Sequence, residues 1–160
     1  MPWVNVQPVV DRSVRGLCGL AYPGHPKGCP NLQKRKERCP PRAPFIEEIL
    51  NLSQPVLAIY NVFDLGSYMD ARQAKRIETG HPCWTDRQLR NCLYWQGTAR
   101  AALRKEIRQC LKANPNLLVV DTPEATGVNV TATMAAANVE LEWPPKRTAV
   151  QVVLAGIPKR

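Results

Sequence analysis

Residues 55–64 read PVLAIYNVFD, and residues 67–79, just beyond, read SYMDARQAKRIET. The first stretch is an almost unbroken apolar run of strand length, rich in β-branched and aromatic residues, and it predicts a buried strand. The second predicts a helix, with Ser67 as its N-cap and Gly80 beyond its end. Toward the C-terminus, LLVVDT at 117–122 and AVQVVLAGI at 149–157 predict two further strands. WVNVQPVV at 3–10 predicts a short one, which Pro8 assigns to a sheet edge. Pro44 and the pair Glu47 and Glu48 suit the N-terminal turn of a short helix over 44–52. A further helix is expected over 124–138.

The longest pattern is TDRQLRNCLYWQGTARAALRKEIRQCLKA at 85–113. Thr85 is a natural N-cap. Leu89, Cys92, Leu93, Ala99, Leu103 and Cys110 recur at helical spacing on one face, so one long amphipathic helix is expected, weakest at Gly97. Cys92 and Cys110 then belong to the core. Strands alternating with helices define an α/β fold. The expectation is one domain over 1–160: a small mixed sheet, flanking helices and a long loop at 14–43.

That loop, within CGLAYPGHPKGCPNLQKRKERCPP at 18–41, has no helical or strand period. Glycines and prolines punctuate it, and a structureless segment this long is usually functional or disordered. Cys18, Cys29 and Cys39 fall in it, and thiolates favour zinc or iron–sulfur clusters. Cys29 and Cys39 are each followed by proline, a step common at cluster ligands. The favoured centre is a 4Fe–4S cluster on Cys18, Cys29 and Cys39, with Cys83 or an open iron at the fourth position. An open iron would act as a Lewis acid or bind a substrate sulfur, which allows redox or sulfur chemistry. The alternative is a structural zinc, with His25 or Cys83 as fourth ligand. The plain reading is three reduced thiols in a proline-rich loop. Cys83 precedes the long helix, whose dipole would favour its thiolate. His81 reads as a loop histidine, and Asp121 and Glu124 as turn residues.

The formal charge of +9, from 22 Lys and Arg against 13 Asp and Glu, points to an anionic partner such as nucleic acid. Candidate anion-binding residues are Lys34, Arg35, Lys36 and Arg38 in the loop and Arg90, Arg104 and Arg108 on the long helix. Tyr94 and Trp95 would stack on bases, unless Trp95 packs in the core. No apolar run approaches the roughly 20 residues that cross a bilayer, and the N-terminus has no signal-peptide pattern. A cytoplasmic location without a membrane partner is therefore expected, where the six cysteines stay reduced.

The segment at 18–41 resembles the cysteine-rich module of a family of predicted metal-binding proteins of unknown function, whose spaced cysteines end in Cys-Pro-Pro. TPEATGVNVTATMAAANVELEWPP at 122–145 is similar to that family's closing pattern: an acidic residue, then Gly-x-Asn/Asp-Val, then a helix. The resemblance covers about 50 residues and implies a metal, without a known reaction. Relatives carry further cysteines just before the closing pattern, whereas this chain has LLVVDTPEATG there. Only one set of ligands is therefore expected.

Overall fold

The computed structural model describes residues 2–22, 25–30, 32 and 37–160. Four strands form one sheet: β1 (Trp3–Val6), β2 (Val56–Asp64), β3 (Leu118–Val120) and β4 (Thr148–Gly156), in the order β1-β2-β4-β3. Five α-helices accompany it: α1 (Ile46–Ile49), α2 (Leu65–Glu78), α3 (Asp86–Leu89), α4 (Cys92–Ala113) and α5 (Val130–Ala136). Two 3-10 helices, Arg12–Gly19 and Pro123–Thr126, complete the described elements. The expected α/β class is observed. All strand pairings are antiparallel, so the sheet is not mixed as expected. β2 and β3 do run in the same direction, as β–α–β alternation predicts. β4 enters between them and pairs antiparallel with both.

Alternation along β2 divides its side chains between two cores. Val56 and Ala58 join Val120, Leu154, Ile46, Leu50 and Met134 on the face covered by α1 and α5. Ile59 points the other way and meets Val153, Leu103 and Cys110 beneath α4. Farther along that helix, Cys92, Trp95 and Ala99 pack with Leu65, Met69 and Ala149. Of the residues expected on the buried face of α4, Leu93 is the exception, at 64 % exposure. Trp95 takes the core position instead: its ring stacks on Phe63 at 5.8 Å, and Nε1 donates to the Arg90 carbonyl at 3.0 Å.

Local hydrogen bonding explains where the elements begin and end. The single helix expected over 85–113 is broken at Arg90 and Asn91. Thr85 caps α3 through a reciprocal box with Gln88, and Asn91 then starts α4 by accepting from the Leu93 N–H at 3.0 Å. Gly97 lies inside α4 without interrupting it. The cap of α2 is Asp64, not Ser67: its carboxylate accepts from both the Ser67 N–H (2.8 Å) and hydroxyl (2.7 Å). At the other end Gly80 adopts φ +70° and donates to the Ile77 carbonyl, while the His81 N–H reaches Arg76, a Schellman closure. The helix expected over 124–138 is interrupted by Gly127 at φ +85° and restarts as α5, capped by Asn129. Among the described residues no helix is long and apolar enough to cross a membrane.

Candidate metal centre

Backbone and guanidinium bonds fasten the arms that carry Cys18, Cys29 and Cys39. Cys18 lies in the last turn of the 3-10 helix Arg12–Gly19, which buries Val14. Arg15, on the same helix, donates to the carbonyls of Pro41 (2.9 Å) and Ala43 (2.8 Å), and its guanidinium lies 4.5 Å from the Phe45 ring centre. The arm of Cys18 is thus fastened to the chain just beyond Cys39. The Cys39 carbonyl accepts from the N–H groups of Arg42 and Ala43, which turns the chain there.

Cys29 reaches Cys18 through a turn. Tyr22 and His25 exchange backbone hydrogen bonds, Gly28 donates to the His25 carbonyl, and the Cys29 N–H donates to the Cys18 carbonyl at 2.8 Å. Gly28 makes this approach possible. Its φ is +81°, and a Cβ there would stand 2.7 Å from the Cys18 oxygen and 2.8 Å from the Gly19 carbonyl. Tyr22 packs against the Leu89–Cys92–Trp95 core, and its pKa is raised to about 12, chiefly by burial.

The Cys18 pKa is raised first by burial, then by the charges of Cys29, Glu124 and Cys39, with Arg15 opposing them. Glu124 lies on the other 3-10 helix, Pro123–Thr126. Glu124 is exposed, and desolvation raises the pKa of its carboxyl group. Cys18 therefore lies within the field of two expected thiol ligands and one carboxyl that the sequence marks only as a turn residue. The donor chemistry suits a soft or borderline metal. Among the described residues no three Cys, His, Asp or Glu side chains are grouped so as to hold a metal ion.

The remaining candidates separate. Cys83 is exposed in the link between α2 and α3. The next helix along the chain is the four-residue α3, not the long helix, so the strong dipole expected beside Cys83 is absent. The N-terminus of α4 falls at Cys92, whose pKa burial raises. Cys92 and Cys110 are buried, in line with core roles. His25 sets its ring 4.9 Å from that of Tyr22. His81 Nδ1 lies 2.9 Å from the Thr79 hydroxyl. Lys34, Arg35 and Lys36 lie outside the described residues. Arg38 pairs with Asp121 at 2.9 Å and Arg90 with Asp86 at 3.0 Å. Arg104 and Arg108 are exposed on α4. Trp95 is buried and offers no stacking surface; Tyr94 is 44 % exposed and packs against Trp84 and the Arg72 guanidinium.

Comparison with protein-family models, curated proteins and solved structures found no match. In the sequence Glu124 is marked only as a turn residue and as the acidic position of the closing pattern, between Pro123 and Gly127.

Proposed function

We propose that the chain is a metal-binding protein whose cysteine-rich segment holds one 4Fe–4S cluster through Cys18, Cys29 and Cys39. The observation that carries the reading is the fastening of the three cysteine arms, by Cys29 N–H to Cys18 carbonyl and by Arg15 to Pro41 and Ala43. A loop built only for flexibility has no need of a glycine wedged against a cysteine carbonyl. The Cys-Pro steps at Cys29 and Cys39 favour iron–sulfur over zinc. Such a cluster supplies one-electron transfer, or Lewis acidity at an iron lacking a protein thiolate. The protein's part is to fix three sulfurs and to leave a fourth position for other chemistry. Cys18→Ala, Cys29→Ala and Cys39→Ala are each expected to lose metal, while Cys92→Ala keeps it. Full metal content in all three loop variants contradicts the site.

A second reading rests on Arg104 and Arg108, exposed on α4 and without an acidic partner among the described residues. With the formal charge of +9, they support docking of a polyanion, whose affinity falls steeply as salt rises.

A further inference from the structure

We propose that the surface where α2 meets α4 binds single-stranded nucleic acid, with a base stacked on Tyr94 and the phosphates following the basic face of α4. The inference rests on the polyanion reading above and names the class of polyanion.

The stacking end is built from both helices and the link between them. Gln73, on α2, clamps Trp84: its side-chain amide donates to the Trp84 carbonyl at 3.0 Å and accepts from the Trp84 N–H at 2.9 Å. The indole is thereby held against Tyr94, in the first turn of α4, with ring centres 4.9 Å apart. The Arg72 guanidinium lies 4.6 Å from each of these ring centres. It is fixed there by donating to the Tyr68 hydroxyl at 2.9 Å, which in turn donates to the Tyr94 carbonyl at 2.9 Å. Arg76, one turn farther along α2, lies 4.7 Å from the Trp84 ring centre and donates to the Pro82 carbonyl at 2.8 Å. Like charges at this spacing repel. Among the described residues neither cation meets a carboxylate, and each guanidinium bonds a single oxygen, fewer than its N–H groups can serve. An anion completes them.

A cationic track leads away from this platform. The exposed face of α4 continues from Tyr94 through Lys105, Arg108 and Lys112, which recur at helical spacing over about 27 Å. Gly97, Thr98 and Ala101, between them on that face, are small and exposed. The helix carries five basic residues against one acidic residue, the half-buried Glu106. None of its cations forms an ion pair among the described residues. Charge alone suits any polyanion, and the aromatic faces decide among them. An unpaired base stacks on an exposed ring with a guanidinium beside it, whereas a carboxylate-rich peptide has no such face to offer. In a duplex the base faces are already covered by their neighbours.

The test measures binding of a short labelled oligouridine, and of an RNA duplex of the same length, to the full chain at low salt. Tyr94→Leu keeps apolar bulk without a π face, and Tyr94→Phe keeps the ring. Tyr94→Leu is expected to weaken oligouridine binding about 5- to 150-fold, the effect of losing one base–aromatic stack, and to leave duplex binding unchanged. Tyr94→Phe should match wild type on both. The double variant Lys105→Ala, Lys112→Ala reads the track independently of the ring: it should weaken oligouridine binding and flatten its salt dependence. Equal loss on both ligands in Tyr94→Leu, or no loss on oligouridine, overturns the stacking surface and leaves the polyanion reading standing. Unchanged binding in the lysine variant overturns the track. Tighter binding of polyglutamate than of oligouridine assigns the face to an acidic protein and overturns the proposal. Binding of no polyanion by the wild type overturns both.

Discussion

Gly28→Ala is the sharpest perturbation of the cysteine segment. The backbone there has φ +81°, and the added methyl would meet the Cys18 oxygen at 2.7 Å and the Gly19 carbonyl at 2.8 Å. Both obstacles are main chain, so no side-chain rotation relieves them. Holding a non-glycine residue in this conformation costs about 1–3 kcal/mol. Parting the two segments to relieve the contact loses the Cys29-to-Cys18 hydrogen bond, about 0.5–1.5 kcal/mol more. The sum, roughly 1.5–4.5 kcal/mol, falls on the contact that joins the segments carrying Cys18 and Cys29. If the bound state requires that contact, metal affinity drops about 10- to 1500-fold, at about 1.4 kcal/mol per factor of ten. Chelator competition on the reconstituted protein measures this directly. Gly16→Ala is the control, since its Cβ meets nothing within 4 Å and its φ is not positive. The reasoning is refuted if Gly28→Ala and Gly16→Ala hold metal equally well.

Single contacts elsewhere in the fold give further expectations. Glu142 accepts from the N–H groups of Lys146, Arg147 and Thr148 at 2.8–3.0 Å, which lowers its pKa from an ordinary 4.5 to about 2. Its folded-state pKa being depressed, its contribution is present above about 4.5 and is lost as pH falls toward 2. Melting curves of Glu142→Gln across that window should lose stability less steeply than wild type, and parallel curves would sink the assignment. Trp95→Ala removes a buried ring and its hydrogen bond to Arg90, and should cost about 3–5 kcal/mol. For a domain this size that lowers Tm by roughly 6–20 °C, and a shift below about 2 °C would contradict the core placement. The double variant Arg104→Ala, Arg108→Ala should weaken binding to single-stranded RNA and flatten its salt dependence. No wild-type binding at low salt removes the polyanion reading.

The sequence revealed most of the frame. PVLAIYNVFD and AVQVVLAGI predicted β2 and β4 because an apolar run of strand length has few other homes. What it hid were choices made by short polar side chains. Asn91 breaks a helix that its neighbours' periodicity would continue, and Asp64 replaces Ser67 as a cap because its carboxylate takes two donors at once. The antiparallel sheet was hidden too, since alternation fixes strand direction but not which strand inserts between two others. For the candidate centre, the cysteines are visible by type and spacing. The packing of the two 3-10 helices Arg12–Gly19 and Pro123–Thr126 against each other is not, because they lie far apart in the sequence.

The most direct measurement is iron, zinc and acid-labile sulfide in protein purified without oxygen, together with its visible absorption. A cluster on Cys18, Cys29 and Cys39 predicts about four irons and four sulfides per chain and a brown, oxygen-sensitive protein. A colourless protein with neither iron nor zinc, even after anaerobic reconstitution, would contradict the account.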